Sequence, residues 1–149
     1  MDRPDTAAAA IGAALYSLAT RAVRRRPRDM SLTSAATLAT LDRTGPRRIT
    51  DLAASEGVTQ PAMTALVRVM EESGLVERRG DASDKRVTLV CLTEAGASYV
   101  RTRRQAGVHA FERLIAELTG DEVEALITAL PALKRLAELE NQDREGRKQ

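Results

Sequence analysis

The chain has 149 residues, 43% of them hydrophobic and 30% charged, with a net charge of +2. This is the length of one domain with a core of its own, and no apolar run nears the roughly 18 residues a membrane span needs, so a soluble, cytoplasmic protein is expected. One Cys and one His exclude an internal disulfide framework and leave a metal site short of ligands, so neither metal nor cofactor is expected.

In chain order, residues 6 to 25 read as a helix, with Ile11, Leu15, Leu18 and Ala22 in one seam and Pro27 beyond its end. Residues 1 to 50 hold nine Arg and four Asp. Arg24, Arg25, Arg26, Arg28, Arg47 and Arg48 suit a face turned to phosphates, although Arg24, Arg25 and Arg26 equally suit the negative end of a helix dipole. A second helix opens near residue 30 and places Ala35, Leu38 and Leu41 on one side, until Thr44, Gly45 and Pro46 break it. Thr33 and Ser34 near its start are candidates for a phosphate contact or for a plain N-cap.

Residues 49 to 93 carry the densest pattern. Leu52 and Ala53 begin an apolar face, Gly57 interrupts it, and Met63, Leu66, Val67 and Met70 build another at i, i+3, i+4, i+7. This predicts helix, tight turn, helix, with positive φ at Gly57, N-caps at Thr50 and Thr59, Pro61 in the first turn and a stop at Gly74. With the apolar stripe inward, Pro61, Thr64, Ala65 and Arg68 face outward and Gln60 stands at the N-terminal end. Small side chains allow close approach to a major groove, while Gln, Thr and Arg can read base edges or hold phosphates; the same face also suits an ordinary solvated helix.

After Leu75 the pattern changes to alternation, with Leu75, Glu77, Val87, Leu89 and Cys91 on one parity and Gly80, Asp81 and Ser83 between them. A β-hairpin follows, its tip carrying Arg78, Arg79, Lys85 and Arg86. Such a tip can reach a minor groove, where Arg meets a strong negative potential. Asp84 is expected either to pair with the Arg86 guanidinium or to be part of a soluble loop tip. Cys91 is expected to be a buried, inert thiol.

Thr93 can cap a long helix running to about Leu118, with Tyr99, Phe111 and Leu114 among its apolar members. Thr119, Gly120, Asp121 and Glu122 have capping-box spacing ahead of a stripe containing Val123, Leu126, Ile127, Leu130, Leu133, Leu136 and Ala137. Pro131 inside the stripe predicts a kink or short break. Residues 141 to 149 are polar and charged enough to form a flexible tail. The first helix and the last two carry more apolar surface than a small core can bury. Pairing with a second copy through Ile11, Leu15, Leu18, Leu126, Leu130, Leu133 and Leu136 is therefore expected.

Asp84, Lys85 and Arg86, followed after five residues by Leu92 and Thr93, together with the Glu-x-x-Gly-Leu-Val-x-Arg run over residues 71 to 78, resemble the winged helix-turn-helix of the MarR family of bacterial transcriptional regulators. Met70 departs from the Leu found in many members, a volume-conserving change. The resemblance implies a mainly α fold with a small β-hairpin wing (α+β), in a single domain over residues 1 to 149. Residues 30 to 93 would be the DNA-binding part, and residues 5 to 26 and 94 to 140 dimerisation helices.

By the same resemblance, residues 59 to 68 would face the major groove, Arg86 would enter the minor groove and Asp84 would brace it. The partners implied are double-stranded DNA, a second copy of the chain, and a small lipophilic or aromatic effector, with Leu15, Tyr16, Met30, Leu38, Tyr99 and Phe111 as candidate pocket residues. The function expected is a sequence-specific DNA-binding regulator: a ligand-responsive repressor binding a near-palindromic operator as a homodimer. The competing class is a winged-helix protein-interaction module without DNA binding. No nucleophile with its base, no phosphate-binding Gly loop and no metal spacing suggests an enzyme.

Overall fold

A computed structural model describes residues 3–25, 27–84 and 86–146 of the chain. Its elements are α1 (Arg3–Arg24), α2 (Leu32–Thr44), β1 (Arg47–Arg48), α3 (Ile49–Glu56), α4 (Gln60–Glu72), β2 (Val76–Gly80), β3 (Thr88–Leu92), α5 (Glu94–Ile115) and α6 (Gly120–Gly146). The chain divides into two compact units, Met1–Ser31 and Leu32–Gln149.

The first unit is built on α1. By length and composition Thr6–Arg24 is apolar enough to cross a membrane, with a mean hydropathy of 1.2, contrary to the expectation that no segment would be. Alanine supplies much of that apolarity. Ile11 and Leu18 are at least half exposed.

In the second unit α2, α3 and α4 enclose the core. Leu38, Leu52, Met63, Val67 and Val90 are fully buried, and Leu41, Ala53, Met70 and Val76 nearly so. Full burial of one such aliphatic side chain contributes about 1.5–3 kcal/mol, so the inner stripe of α4 fixes which face of that helix remains outside. The buried Thr37 hydroxyl donates to the Thr33 carbonyl oxygen at 2.8 Å and lies 3.9 Å from the Met63 Sδ, which leaves no unpaired polar group beneath α4. Across the α2–α3 contact, the Thr40 hydroxyl donates to Glu56 at 3.0 Å.

The turn between α3 and α4 forms as the sequence requires. Gly57 has φ 65° and ψ 33°, and the Val58 amide donates to the Ala53 carbonyl at 3.0 Å, closing the end of α3. The Thr59 side chain caps α4 by accepting from the Ala62 amide at 3.4 Å, and Pro61 occupies the first turn, where its missing N–H costs nothing. Thr50 does not cap α3: the cap position is Arg48, without a side-chain bond, and the Thr50 hydroxyl turns to Asp51.

The hairpin is part of a three-stranded antiparallel sheet of order β1-β3-β2. A two-residue strand is too short to display periodicity, so β1 was not expected. Its partners are Arg47 with Val90 and Arg48 with Leu89, while β2 pairs Val76 with Leu92 through Gly80 with Thr88. Cross-strand partners share a face, so Val76 and Val90 define the core side. Leu89, expected on the same side as Cys91, is only half-buried, so the more deeply buried face is the one carrying Val76 and Val90. Residues 89 to 92 are apolar at every position, so alternation could not select a face, and the end of α4 sets the register instead. Cys91 is nonetheless buried and free of a disulfide.

Capping-box bonds join Thr119 and Glu122: the Thr119 amide donates to the Glu122 carboxylate at 2.8 Å, and the Glu122 amide to the Thr119 hydroxyl at 3.4 Å. α6 passes Pro131 without a break, and it remains helical through Gly146 where a tail from residue 141 was expected. Polar residues at consecutive helix positions lower hydrophobicity without opposing helix formation, and Glu, Gln and Arg are good helix formers. Residues 147 to 149 of that tail lie outside the described residues.

Met63→Ala would leave a cavity between α2 and α4. It should lower stability by about 2–5 kcal/mol in urea denaturation, whereas an exposed change such as Gln60→Ala should leave stability within about 0.5 kcal/mol.

Candidate nucleic-acid interface

The buried stripe of α4 turns a distinct set of side chains outward. Gln60, Pro61, Ala65 and Arg68 are exposed and Thr64 is half-buried, its hydroxyl donating to the Gln60 carbonyl at 2.9 Å while its lone pairs remain able to accept. Arg68 pairs with Glu72 at 2.9 Å. An exposed pair one turn apart contributes only about 0.3–0.5 kcal/mol, so a phosphate or a guanine edge can replace the carboxylate at little cost. Val69, 59% exposed, joins this face four residues after Ala65. Sequence reasoning passed over it because residues 66, 67, 69 and 70 are all apolar, and only packing shows which of them is left out.

The wing tip is ordered by one carboxylate. Asp81 Oδ1 accepts from the Ser83 hydroxyl at 2.5 Å, the Ser83 amide at 2.7 Å and the Asp84 amide at 3.3 Å. The hairpin closes above it through Asp81 N–H to Val87 O at 2.8 Å and Val87 N–H to Asp84 O at 2.9 Å. Asp84 does not pair with the Arg86 guanidinium. Its Oδ1 accepts from the Arg86 backbone amide at 3.0 Å, because a short Asx side chain naturally reaches the amide two residues on. Its bracing of Arg86 therefore acts on the main chain and leaves the guanidinium available.

The cations of the wing differ in their partners. Arg78 pairs with Glu71 at 3.3 Å, and Arg79 with Glu77. Arg86 is exposed and has no carboxylate partner among the described residues. Lys85, the remaining candidate at the tip, lies outside the described residues, as does Arg26 of the basic flank. Arg48 and Arg79 flank Leu89 in one row of the sheet, and Arg48 lies close enough to Asp81 for its charge to be felt there.

Two sequence candidates do not fit their assigned roles. Ser34 is 5% exposed inside the first turn of α2, which leaves little of it open to a phosphate. Leu38 is fully buried in the core and cannot line an open pocket. Of the other pocket candidates, Leu15, Tyr16 and Met30 belong to the first unit and Tyr99 and Phe111 to the second. A groove along α1 is lined by Tyr16, Ser17, Thr20, Arg21 and Arg24, and includes only Tyr16 of the six. Tyr99 is engaged by Arg103, whose guanidinium lies 5.2 Å from the ring centre and also donates to the phenol oxygen. His109 is exposed on α5 and contacts Glu112 at 2.6 Å.

The model of the MarR family matches residues 30–88. The HTH-type transcriptional regulator YfiV of Bacillus subtilis (strain 168), itself uncharacterized, is 30% identical over 110 residues, which span 74% of this chain and 69% of that protein. Among solved structures, the transcriptional regulator Tm0710 from Thermotoga maritima is similar with a TM-score of 0.73 at 20% identity, over 95% of this chain and 99% of that one. A single-substitution variant of Staphylococcus aureus MepR bound to an oligodeoxyribonucleotide is similar with a TM-score of 0.62 at 22% identity, over 93% and 99%. At such identities the two structures share the fold alone.

The Ser83 hydroxyl foremost, then the Ser83 and Asp84 amides, hold the Asp81 carboxyl below the usual carboxylate range; desolvation opposes them, and the Arg48 charge adds the smallest effect. A depressed folded pKa means that this contribution is complete above the unfolded value and is lost as pH falls through the folded one. The Ser83 amide resonance should therefore titrate with a midpoint below that of a free aspartate in the same buffer, and Asp81→Asn should abolish the step. A midpoint at or above the free value would show that these bonds do not hold the wing tip in solution.

Proposed function

The chain belongs to the MarR family and is a DNA-binding transcriptional regulator, and from that premise we propose that two copies bind a near-palindromic operator as a homodimeric repressor that a small lipophilic or aromatic molecule releases. The observation that carries this reading is an outward α4 face of short side chains beside a wing whose Arg86 has no carboxylate partner among the described residues. A face of that kind can approach base edges closely, and an unpaired guanidinium need give up no ion pair to enter a minor groove.

In this arrangement Pro61 and Ala65 permit close approach, Gln60, Thr64 and Arg68 meet base edges or phosphates, and the Val69 methyls suit a thymine methyl. Thr59 lies at the N-terminus of α4, where backbone N–H groups and the dipole favour a phosphate. Arg78 and Arg79 can exchange their carboxylates for the DNA backbone, and Lys85 adds a further cation at the tip. The likeness in fold to a DNA-bound MepR variant supports this placement of helix and wing.

The dimer rests on apolar side chains that a single copy leaves open. Ile11, Leu15 and Leu18 on α1 and Leu126, Leu130 and Leu136 on α6 are each at least 36% exposed, and Leu133 is half-buried. Exposed aliphatic surface of this kind on each of the two helices marks an interaction surface, and a second copy supplies a matching one. Twofold symmetry would set the recognition helices about 34 Å apart, one turn of DNA. The protein would act in the cytoplasm, and Tyr99 and Phe111 on α5 are the side chains assigned to the effector.

Selection from random duplexes at moderate salt should return an inverted repeat with half-site centres about one helical turn apart, and recovery of no motif would remove the sequence-specific reading. Arg86→Ala should weaken operator binding by about tenfold to a hundredfold with an unchanged circular dichroism spectrum, and unchanged affinity would remove the wing from the mechanism. A base contact at Arg68 predicts that its substitution alters sequence preference, whereas a phosphate contact predicts uniform loss and a salt slope lower by about one.

A further inference from the structure

The recognition helix and α5 are joined at one point through three consecutive residues. At the end of α4, Gly74 has φ 71° and the Leu75 amide donates to the Met70 carbonyl at 2.9 Å. The Thr93 hydroxyl donates to the Gly74 carbonyl at 2.7 Å, and the Thr93 amide donates to the Leu75 carbonyl at 3.1 Å. The same hydroxyl accepts from the Gly96 amide at 3.0 Å and so caps α5. One residue further on, Val76 pairs with Leu92 in the sheet.

Gly96 brings the two elements this close together. A Cβ built there would lie 2.0 Å from the Leu75 carbonyl oxygen and 2.8 Å from a Leu92 methyl, so any larger residue would force the joint apart. Thr93 thus uses its one donor on the end of α4 and a lone pair on the start of α5, a combination available to a hydroxyl but not to an alkyl group.

We infer that this joint is a specificity-determining strut: Thr93 and Gly96 hold α4 at a fixed angle to α5 and thereby select the spacing between operator half-sites without touching DNA. The inference rests on the dimeric reading above, in which α6, the element that follows α5, helps to carry the second copy. Its leverage follows from geometry. α4 has 13 residues, so its N-terminal end stands about 20 Å from the joint. A tilt of about 10° there moves the reading end by about 3.5 Å, close to the rise of about 3.4 Å per base pair. Slack that is harmless to the fold would therefore blur the spacer by one base pair.

The experiment measures binding of the wild type, Thr93→Val and Thr93→Ser to the selected operator, to the same half-sites with one base pair added to or removed from the spacer, and to unrelated duplex. Thr93→Val keeps the side-chain volume and removes the hydroxyl. It should reduce discrimination against the altered spacers by about tenfold, the worth of one to two such hydrogen bonds, while affinity for unrelated duplex and its salt slope stay unchanged. Thr93→Ser should restore the discrimination. A role confined to stability would lower the melting temperature and scale all affinities alike, leaving the ratio unchanged, and that result overturns the strut. If Thr93→Val fails to fold, Thr93→Ala carries the same expectation without the branched methyl groups. A wild type indifferent to spacer length would instead overturn the dimeric reading itself.

Discussion

Two left-handed glycines determine where the recognition helix can lie. Gly57 at φ 65° ends α3 and Gly74 at φ 71° ends α4, and each lets the next amide return to a carbonyl in the turn it has just left. A Cβ in that region of φ costs roughly 1–2 kcal/mol, so the chain reverses at these positions with little strain only because they lack one. Between them, Met63, Val67 and Met70 fill the space against α2 and α3. Orientation of α4 about its own axis is thus a packing outcome, and the outward set from Gln60 to Val69 is its complement.

Electrostatics then separates residues that the sequence presents as equivalent. Arg68, Arg78 and Arg79 each hold a nearby carboxylate, so any phosphate they met would have to replace that partner. Arg86 makes no such exchange among the described residues, because Asp84 spends its oxygen on the backbone amide. A wing ordered by Asp81 through Ser83 and Asp84 holds its shape without drawing on the Arg86 guanidinium, which keeps no carboxylate partner among the described residues. Preorganised backbone with a free guanidinium reduces the ordering cost of entering a groove.

The apolar side chains left exposed on α1, α5 and α6 stand apart from this economy of the reader. They include Phe111, Leu114 and Ile115 on α5 as well as the seams of α1 and α6. Leucine at such positions contributes little to a single chain, yet buried against a second copy each would contribute about 1.5–3 kcal/mol. α1 meets the length and apolarity of a membrane span by the same composition. Small residues along it also permit close helix packing, the use assigned to it in the proposed homodimer.

Much of the molecule was legible in its residue order. The turn at Gly57, the Thr59 cap, the stop at Gly74, the capping box at Thr119 and Glu122 and the outward face of α4 are local consequences of backbone sterics and helical period, which a short window contains. The wing motif and the family it belongs to were legible for the same reason, since their residues are close in sequence. Other features were not. The strand at Arg47 and Arg48 exists only because β3 offers it an edge. The sheet's inward face could not be read from residues 89 to 92, all of them apolar. Burial leaves Ser34 little exposed and Leu38 wholly enclosed, which a helical period alone could not show. Sequence determined the local turns, caps and periodicities, because those depend on neighbours a few residues away; tertiary structure decided register, burial and the pairing of charges, because those depend on atoms that meet only after the chain has folded.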